Sequence, residues 1–183
     1  GLNDLGLSIH KRLAEMSAHF RVTGIFNAGR FGHHAGALSE VPLLESLEAA
    51  MSQQPDVVVD ALSTCEPALS LVSHFLERGA SVVSANLPVI ADAGRKLNTL
   101  AARCNTYLRY NAAVGGSAPM MEALRRETHV AEIRSIAAVF GGEASRILDR
   151  CAKGFVFEEL LQSATAELGS IAIHEEMSGV RSA

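Results

Sequence analysis

Tryptophan is absent from the chain, and all aromatics together make up 5% of its 183 residues. No stacking platform for bases or sugars is expected from so few rings. Cysteine is nearly as scarce: Cys65, Cys104 and Cys151 are odd in number and far apart. They form neither a disulfide framework nor a set with metal-ligand spacing, and a reducing cytoplasm is the expected compartment. An excess of positive charge is missing too, with 16 Lys and Arg against 20 Asp and Glu and a net charge of -4. Nucleic acid and anionic membranes both select a basic footprint, so neither is an expected partner. No apolar run approaches the ~18 residues of a membrane span, and the first residues carry no signal-peptide pattern.

What is present is apolar material: 48% of positions are hydrophobic and 20% charged. That suffices for one substantial core, or for a domain of ~110 residues with a smaller second unit. Leu5, Ile9, Leu13 and Met16 lie at helical spacing, which predicts an amphipathic helix over 5–19. Arg21 to Phe26 reads as a strand closed by the turn Asn27-Ala28-Gly29, Phe31 to Ser39 as a loop, and Leu43 to Met51 as a helix opened by Pro42. The β-branched run Val57-Val58-Val59-Asp60-Ala61-Leu62 suits a strand buried on both faces of a parallel sheet. Ser63 to Pro67 is a loop into a helix over 68–78, and Gly79 stands where a helix C-cap favours glycine. A strand over 81–85, a helix over 88–104 and a strand over 107–111 complete the alternation of an open α/β sheet.

Past Val114 the pattern changes. Gly115 to Pro119 forms a glycine-rich turn into a helix over 120–127. A strand over 133–140, a helix over 143–152 and a last helix over 155–168 with Gly169 after it follow. The predicted organisation is a Rossmann-like parallel sheet over 1–110, followed by a smaller α+β portion over 111–183.

Gly1-Leu2-Asn3-Asp4-Leu5-Gly6 fits G-x-G-x-x-G with asparagine at the middle glycine, ahead of a helix and a strand. Such turns let a pyrophosphate approach the backbone, and Asn3 adds a side chain at that approach. The apolar strand that should lead into Gly1 does not precede it, which leaves the predicted sheet with a gap at its centre. A dinucleotide, if bound, is expected over Gly1, Asn3 and Gly6, with Arg30, Ser63, Thr64, Ala85 and Asn86 around it. The second strand ends in Asn27-Ala28-Gly29-Arg30 without the acid that holds the ribose hydroxyls of NAD, which favours NADP over NAD.

Several segments, in order, carry a family resemblance. Gly79-Ala80-Ser81-Val82-Val83-Ser84-Ala85-Asn86-Leu87 resembles G-x-x-V-V-T-A-N-K of homoserine dehydrogenases. Tyr110 to Pro119 resembles Y-E-A-x-V-G-G-G-I-P, and Gly141 to Leu148 resembles N-G-T-T-N-Y-I-L. The resemblance covers most of the chain from Asp56 to Gly169. It implies NAD(P)-dependent interconversion of aspartate semialdehyde and homoserine, or of a related small substrate, in a homodimer. It also places Gly142 with the cofactor residues, and Asn111, Gly115 and Gly116 at the substrate. In this family a lysine and an aspartate serve the proton transfer, and the glutamate of Y-E-A meets the substrate ammonium.

At those same positions the chain departs from the pattern. Leu87 stands for the T-A-N-K lysine and Asn111 for the Y-E-A glutamate. With a small gap, Arg181 takes the place of the acidic catalytic residue, and the lysine beyond it falls past Ala183. A catalytically silent relative that kept the fold is therefore the alternative reading. Other sharp readings yield to plainer ones. His33 and His34 lack partners at zinc spacing and read as loop histidines, so no metal is expected. Cys65 lies on the ligand side of the sheet without an assigned base and reads as a passive residue. Met120 and Met121 read as helix packing.

Overall fold

A computed structural model describes residues 3–27, 41–115, 118–135 and 142–168. The chain divides into two compact units, Gly1–Glu122 and Ala123–Ala183.

The first unit begins with α1 (Asp4–Glu15), which Asn3 caps by accepting the Gly6 N–H at 2.8 Å. None of its residues is buried. Two-residue strands β1 (Ile25–Phe26) and β2 (Leu43–Leu44) pair in parallel, and α2 (Leu47–Met51) follows directly. A separate parallel sheet has the order β3-β4-β5, made of Val57–Asp60, Ser81–Ser84 and Leu108–Arg109. Val58 stands opposite Val82, and Val82 opposite Leu108. Between these strands run α3 (Ala68–Glu77) and α4 (Leu87–Arg103), which pack on each other. Their inward faces make the core with β4: Leu76, Val72, Val82 and Val89 are all at most 1% exposed. Full burial of one such side chain stabilises by about 1.5–3 kcal/mol.

The helix ends follow local chemistry. Asn86 caps α4 through the Val89 N–H at 3.3 Å, and Pro88 occupies the first turn, where a missing N–H costs nothing. After α3, Gly79 turns left-handed at φ 89°. The Gly79 N–H then reaches Leu76 O at 3.2 Å and the Ala80 N–H reaches Phe75 O at 2.9 Å, a Schellman closure.

In the second unit, α6 (Gly142–Ala152) and α7 (Phe157–Leu168) pack through Ile147 and Leu160. Helix α5 (Met120–Thr128) bridges the division.

The α/β class with parallel strands stands, and four expectations need correction. Leu43 and Leu44 are strand rather than helix, because Ile25 and Phe26 offer them a parallel partner. The strand over 21–26 shortens to two residues. The run from Val57 is not buried on both faces: Val57 is 50% and Val59 39% exposed. Among the described residues β3 pairs with β4 alone, so no strand covers its other edge there. Residues 133–135 form no strand, and the rest of that expected strand lies outside the described residues.

Candidate functional site

Five of the residues singled out from the sequence meet at the C-terminal ends of β3 and β4. The Asn3 side chain donates from Nδ2 to Ala61 O at 3.0 Å, which ties the start of α1 to the end of β3. Ser63 and Thr64 follow on an exposed loop. Asn86, at 1% exposure, donates from Nδ2 to Thr64 O at 2.8 Å and so joins that loop to the start of α4. Ala85 donates its N–H to Asp60 O at 2.8 Å. Ends of parallel strands facing a helix N-terminus are where α/β sheets take ligands.

Beneath these loops lies a polar pair that the sequence reading missed. Asp60, 6% exposed, accepts Ser84 Oγ at 2.8 Å and the Leu62 N–H at 3.0 Å. Ser84 Oγ in turn accepts the Asn86 N–H at 3.1 Å. Asp60 thus fixes both loops by hydrogen bonds, and a carboxylate at the end of a β-branched run was the available signal.

The residues fit a dinucleotide with one cost. Ser63 and Thr64 are open to solvent and the loops offer main-chain groups. At α1, however, Asn3 Oδ1 already takes the Gly6 N–H, and Asp4 adds a carboxylate in the first turn. A phosphate reaching that N–H must displace the Asn3 side chain.

Leu87 opens α4 half-buried, directly after Asn86. Asn111 follows β5, and its Nδ2 donates to a carboxylate oxygen of Glu122, in the first turn of α5. Asn111 Oδ1 is buried without a partner among the described residues. Glu122 thus sets an acid beside the position where the resemblance expects glutamate; eleven residues of sequence separation had hidden it. Gly115 is exposed, and Met120 and Met121 are half-buried. Gly142 begins α6, which belongs to the second unit. Gly1, Arg30, His33, His34, Gly116 and Arg181 lie outside the described residues. Burial, and then the charges of Asp92 and Glu66, push the Cys65 thiol above its ordinary pKa, which opposes a nucleophilic role.

Parallel strands, intervening helices and polar loops gathered at the strand ends define an α/β domain of Rossmann type. Residues 1–111 match the family model described as "Homoserine dehydrogenase, NAD binding domain". The chain belongs to the homoserine dehydrogenase family. It is 31% identical over 123 residues to homoserine dehydrogenase of Neisseria gonorrhoeae, covering 67% of this chain and 28% of that protein. To the Synechocystis homoserine dehydrogenase it is 33% identical over 125 residues, covering 67% of this chain and 29% of that one. The chain therefore spans less than a third of the length of these relatives. A crystal structure of a Thiobacillus denitrificans homoserine dehydrogenase shares the fold at TM-score 0.76 and 23% identity, over 96% of this chain and 42% of that one. A hyperthermophilic archaeal homoserine dehydrogenase in complex with NADPH aligns at TM-score 0.66 and 25% identity, over 78% of this chain and 45% of that one. Among the described residues, no helix is long and apolar enough to cross a membrane.

Proposed function

We propose that the chain is the nicotinamide-cofactor part of an oxidoreductase of homoserine dehydrogenase type, acting on aspartate semialdehyde and homoserine or on a related small substrate. The Asn3–Ala61 bond carries the reading, because it brings the helix N-terminus to the loops of Ser63, Thr64, Ala85 and Asn86. On this reading residues 1–110 hold NADP or NAD, with Gly1, Gly6 and Arg30 completing the set. Residues 111–183 begin the substrate and dimer portion of a cytoplasmic homodimer, where Gly115, Gly116 and Gly142 shape the turns. Glu122, held by Asn111, supplies the carboxylate for the substrate ammonium.

A second reading, that of a silent relative, draws on Leu87. Its side chain can neither donate a proton nor steady charge on a reacting oxygen, and losing one such group costs about 100- to 10,000-fold in rate. Arg181 cannot replace a proton donor, since a guanidinium keeps its proton throughout the working pH range of an enzyme.

Fluorescence titration with NADH and NADPH tests the reading. Binding is expected, and Asn3→Gly should tighten it about 2- to 10-fold, the worth of one freed hydrogen bond. Stability should change little, because glycine is a tolerated cap. Failure of both nucleotides to bind either protein at millimolar concentration would overturn the reading.

A further inference from the structure

Burying a polar side chain costs free energy unless its hydrogen bonds are met inside the protein. Asp60, Ser84 and Asn86 are buried together at the ends of β3 and β4, and their bonds close into a circuit. Asp60 Oδ1 accepts the Leu62 N–H at 3.0 Å, and Oδ2 accepts the Ser84 hydroxyl at 2.8 Å. Ser84 Oγ accepts the Asn86 N–H at 3.1 Å, and Asn86 Nδ2 donates to Thr64 O at 2.8 Å. From Thr64 the chain returns through Ser63 to Leu62. Each loop is therefore gripped at two points, and one carboxylate holds the joint between them.

The circuit spends the N–H groups of Leu62 and Asn86 on the protein itself, and the Ala85 N–H goes to Asp60 O at 2.8 Å. Ser63 is left aside. It is exposed between the two grips on its loop, and its N–H, C=O and hydroxyl make no hydrogen bond to any described residue. Neither does the Ala85 C=O. A carboxamide asks for one acceptor and one donor, and these loops hold both in reserve. On the cofactor reading, the adenosine ribose belongs with β1 and the pyrophosphate with the start of α1, which Asn3 ties to Ala61. The other half of the dinucleotide, with its nicotinamide carboxamide, then falls to the loops after β3 and β4.

We infer that Asp60 is a positioning residue for the nicotinamide end of the cofactor, acting through Leu62, Ser84 and Asn86 to fix the spacing of the two loops. Its part is indirect, since it is 6% exposed and both its oxygens are already engaged. Hydride transfer depends on placement: a displacement of about 1 Å can cost about 100-fold in rate, so a buried support of this kind counts. An acid is needed for its two separate acceptor oxygens. An amide offers one, so asparagine at 60 serves Leu62 or Ser84 and leaves the circuit open. The inference rests on the cofactor reading and goes beyond it in naming what holds the loops for one half of the nucleotide.

Calorimetric titration of the intact chain compares NADPH and NADH with 2′-phospho-ADP-ribose and ADP-ribose, which lack the nicotinamide. The parent should bind each whole nucleotide more tightly than its fragment. Asp60→Asn and Ser84→Ala should each weaken the whole nucleotides about 3- to 10-fold, the worth of one hydrogen bond, and leave the fragments within about twofold. Ser84→Thr keeps the hydroxyl, where V-V-T-A-N-K carries threonine, and should bind as the parent does. Circular dichroism checks that each variant is folded; if Asp60→Asn is not, the two Ser84 variants decide alone. Equal weakening of nucleotides and fragments would make Asp60 a support of the fold only and overturn the inference. Unchanged binding in Ser84→Ala, or a parent that holds nucleotide and fragment alike, would overturn it too while leaving the cofactor reading intact. A parent that binds none of the four ligands would remove both.

Discussion

The two units of this chain were read from the same kind of sequence evidence, and they are built to different standards. Through its α3 and α4 faces the first unit buries Leu76, Val72, Val82 and Val89 at 1% exposure or less. Among the described residues the second unit buries Ile147 and Leu160, with Cys151 and Leu161 packed beside them. It leaves Leu148 at 54% exposure and Phe155 and Val156 each at 51%. Helical periodicity is present in both, but among the described residues several faces converge only in the first. Period alone places a residue on a face, whereas burial needs a second surface to meet it.

Deletion of equivalent apolar volume should expose that difference most strongly. Leu76→Ala is expected to cost about 2–5 kcal/mol, because a fully enclosed site cannot collapse onto the cavity. Ile147→Ala should cost less, about 1–2 kcal/mol, since its small cluster can relax toward solvent. Urea unfolding followed by circular dichroism measures both. Equal losses would show that the second unit is as firmly built as the first.

A smaller effect is expected at the buried polar pair. Ser84→Ala leaves one carboxylate oxygen of Asp60 and the Asn86 N–H without their partner. An orphaned buried group costs about 1–3 kcal/mol. Asn86 also carries the α4 cap and the bond to Thr64, so the loop ends should loosen together. Thermal unfolding gives the stability, and exchange of the Leu62 and Val89 amides reports the loosening. A variant as stable as the parent, with unchanged exchange, would mean that the pair does not organise these loops.

Helices 68–77 and 87–103 were legible because apolar spacing, caps and breakers agree with one another. The strand at 81–84 was legible for the same reason. Leu43-Leu44 was not, since two residues carry no period and only Ile25 and Phe26 decide their state. Exposure of Val57 and Val59 was equally hidden, because a β-branched run reports strand propensity and says nothing about a neighbour on its far side. At the site, the loops after β3 and β4 could be named by rule. Asn3 was read as a misplaced glycine, although asparagine three residues ahead of a helical N–H is a preferred cap. Glu122 could not be found at all, since the turn after β5 that returns α5 to Asn111 leaves no mark in spacing.

The finest comparison uses two glycines in matched settings, one in each unit. Gly79 follows α3 at φ 89° and Gly154 follows α6 at φ 91°. Both close a Schellman turn: the Gly154 N–H reaches Cys151 O at 2.9 Å and the Phe155 N–H reaches Arg150 O at 3.1 Å. A methyl added at either position meets nothing within 4 Å, so alanine would pay only for its left-handed backbone. That is about 1 kcal/mol in each case, or about fivefold in a local equilibrium. The readout should nevertheless differ. Gly79→Ala lies against the main core and should lower global stability, seen as faster exchange across α3 and α4 alike. Gly154→Ala should speed exchange about fivefold in α6 and α7 and leave α3 unchanged, as expected where each compact unit opens as its own cooperative element. If Gly154→Ala instead sped exchange in α3 and α4 as much as in α6 and α7, the two units would be unfolding as one, and their contrast in packing would carry no thermodynamic boundary.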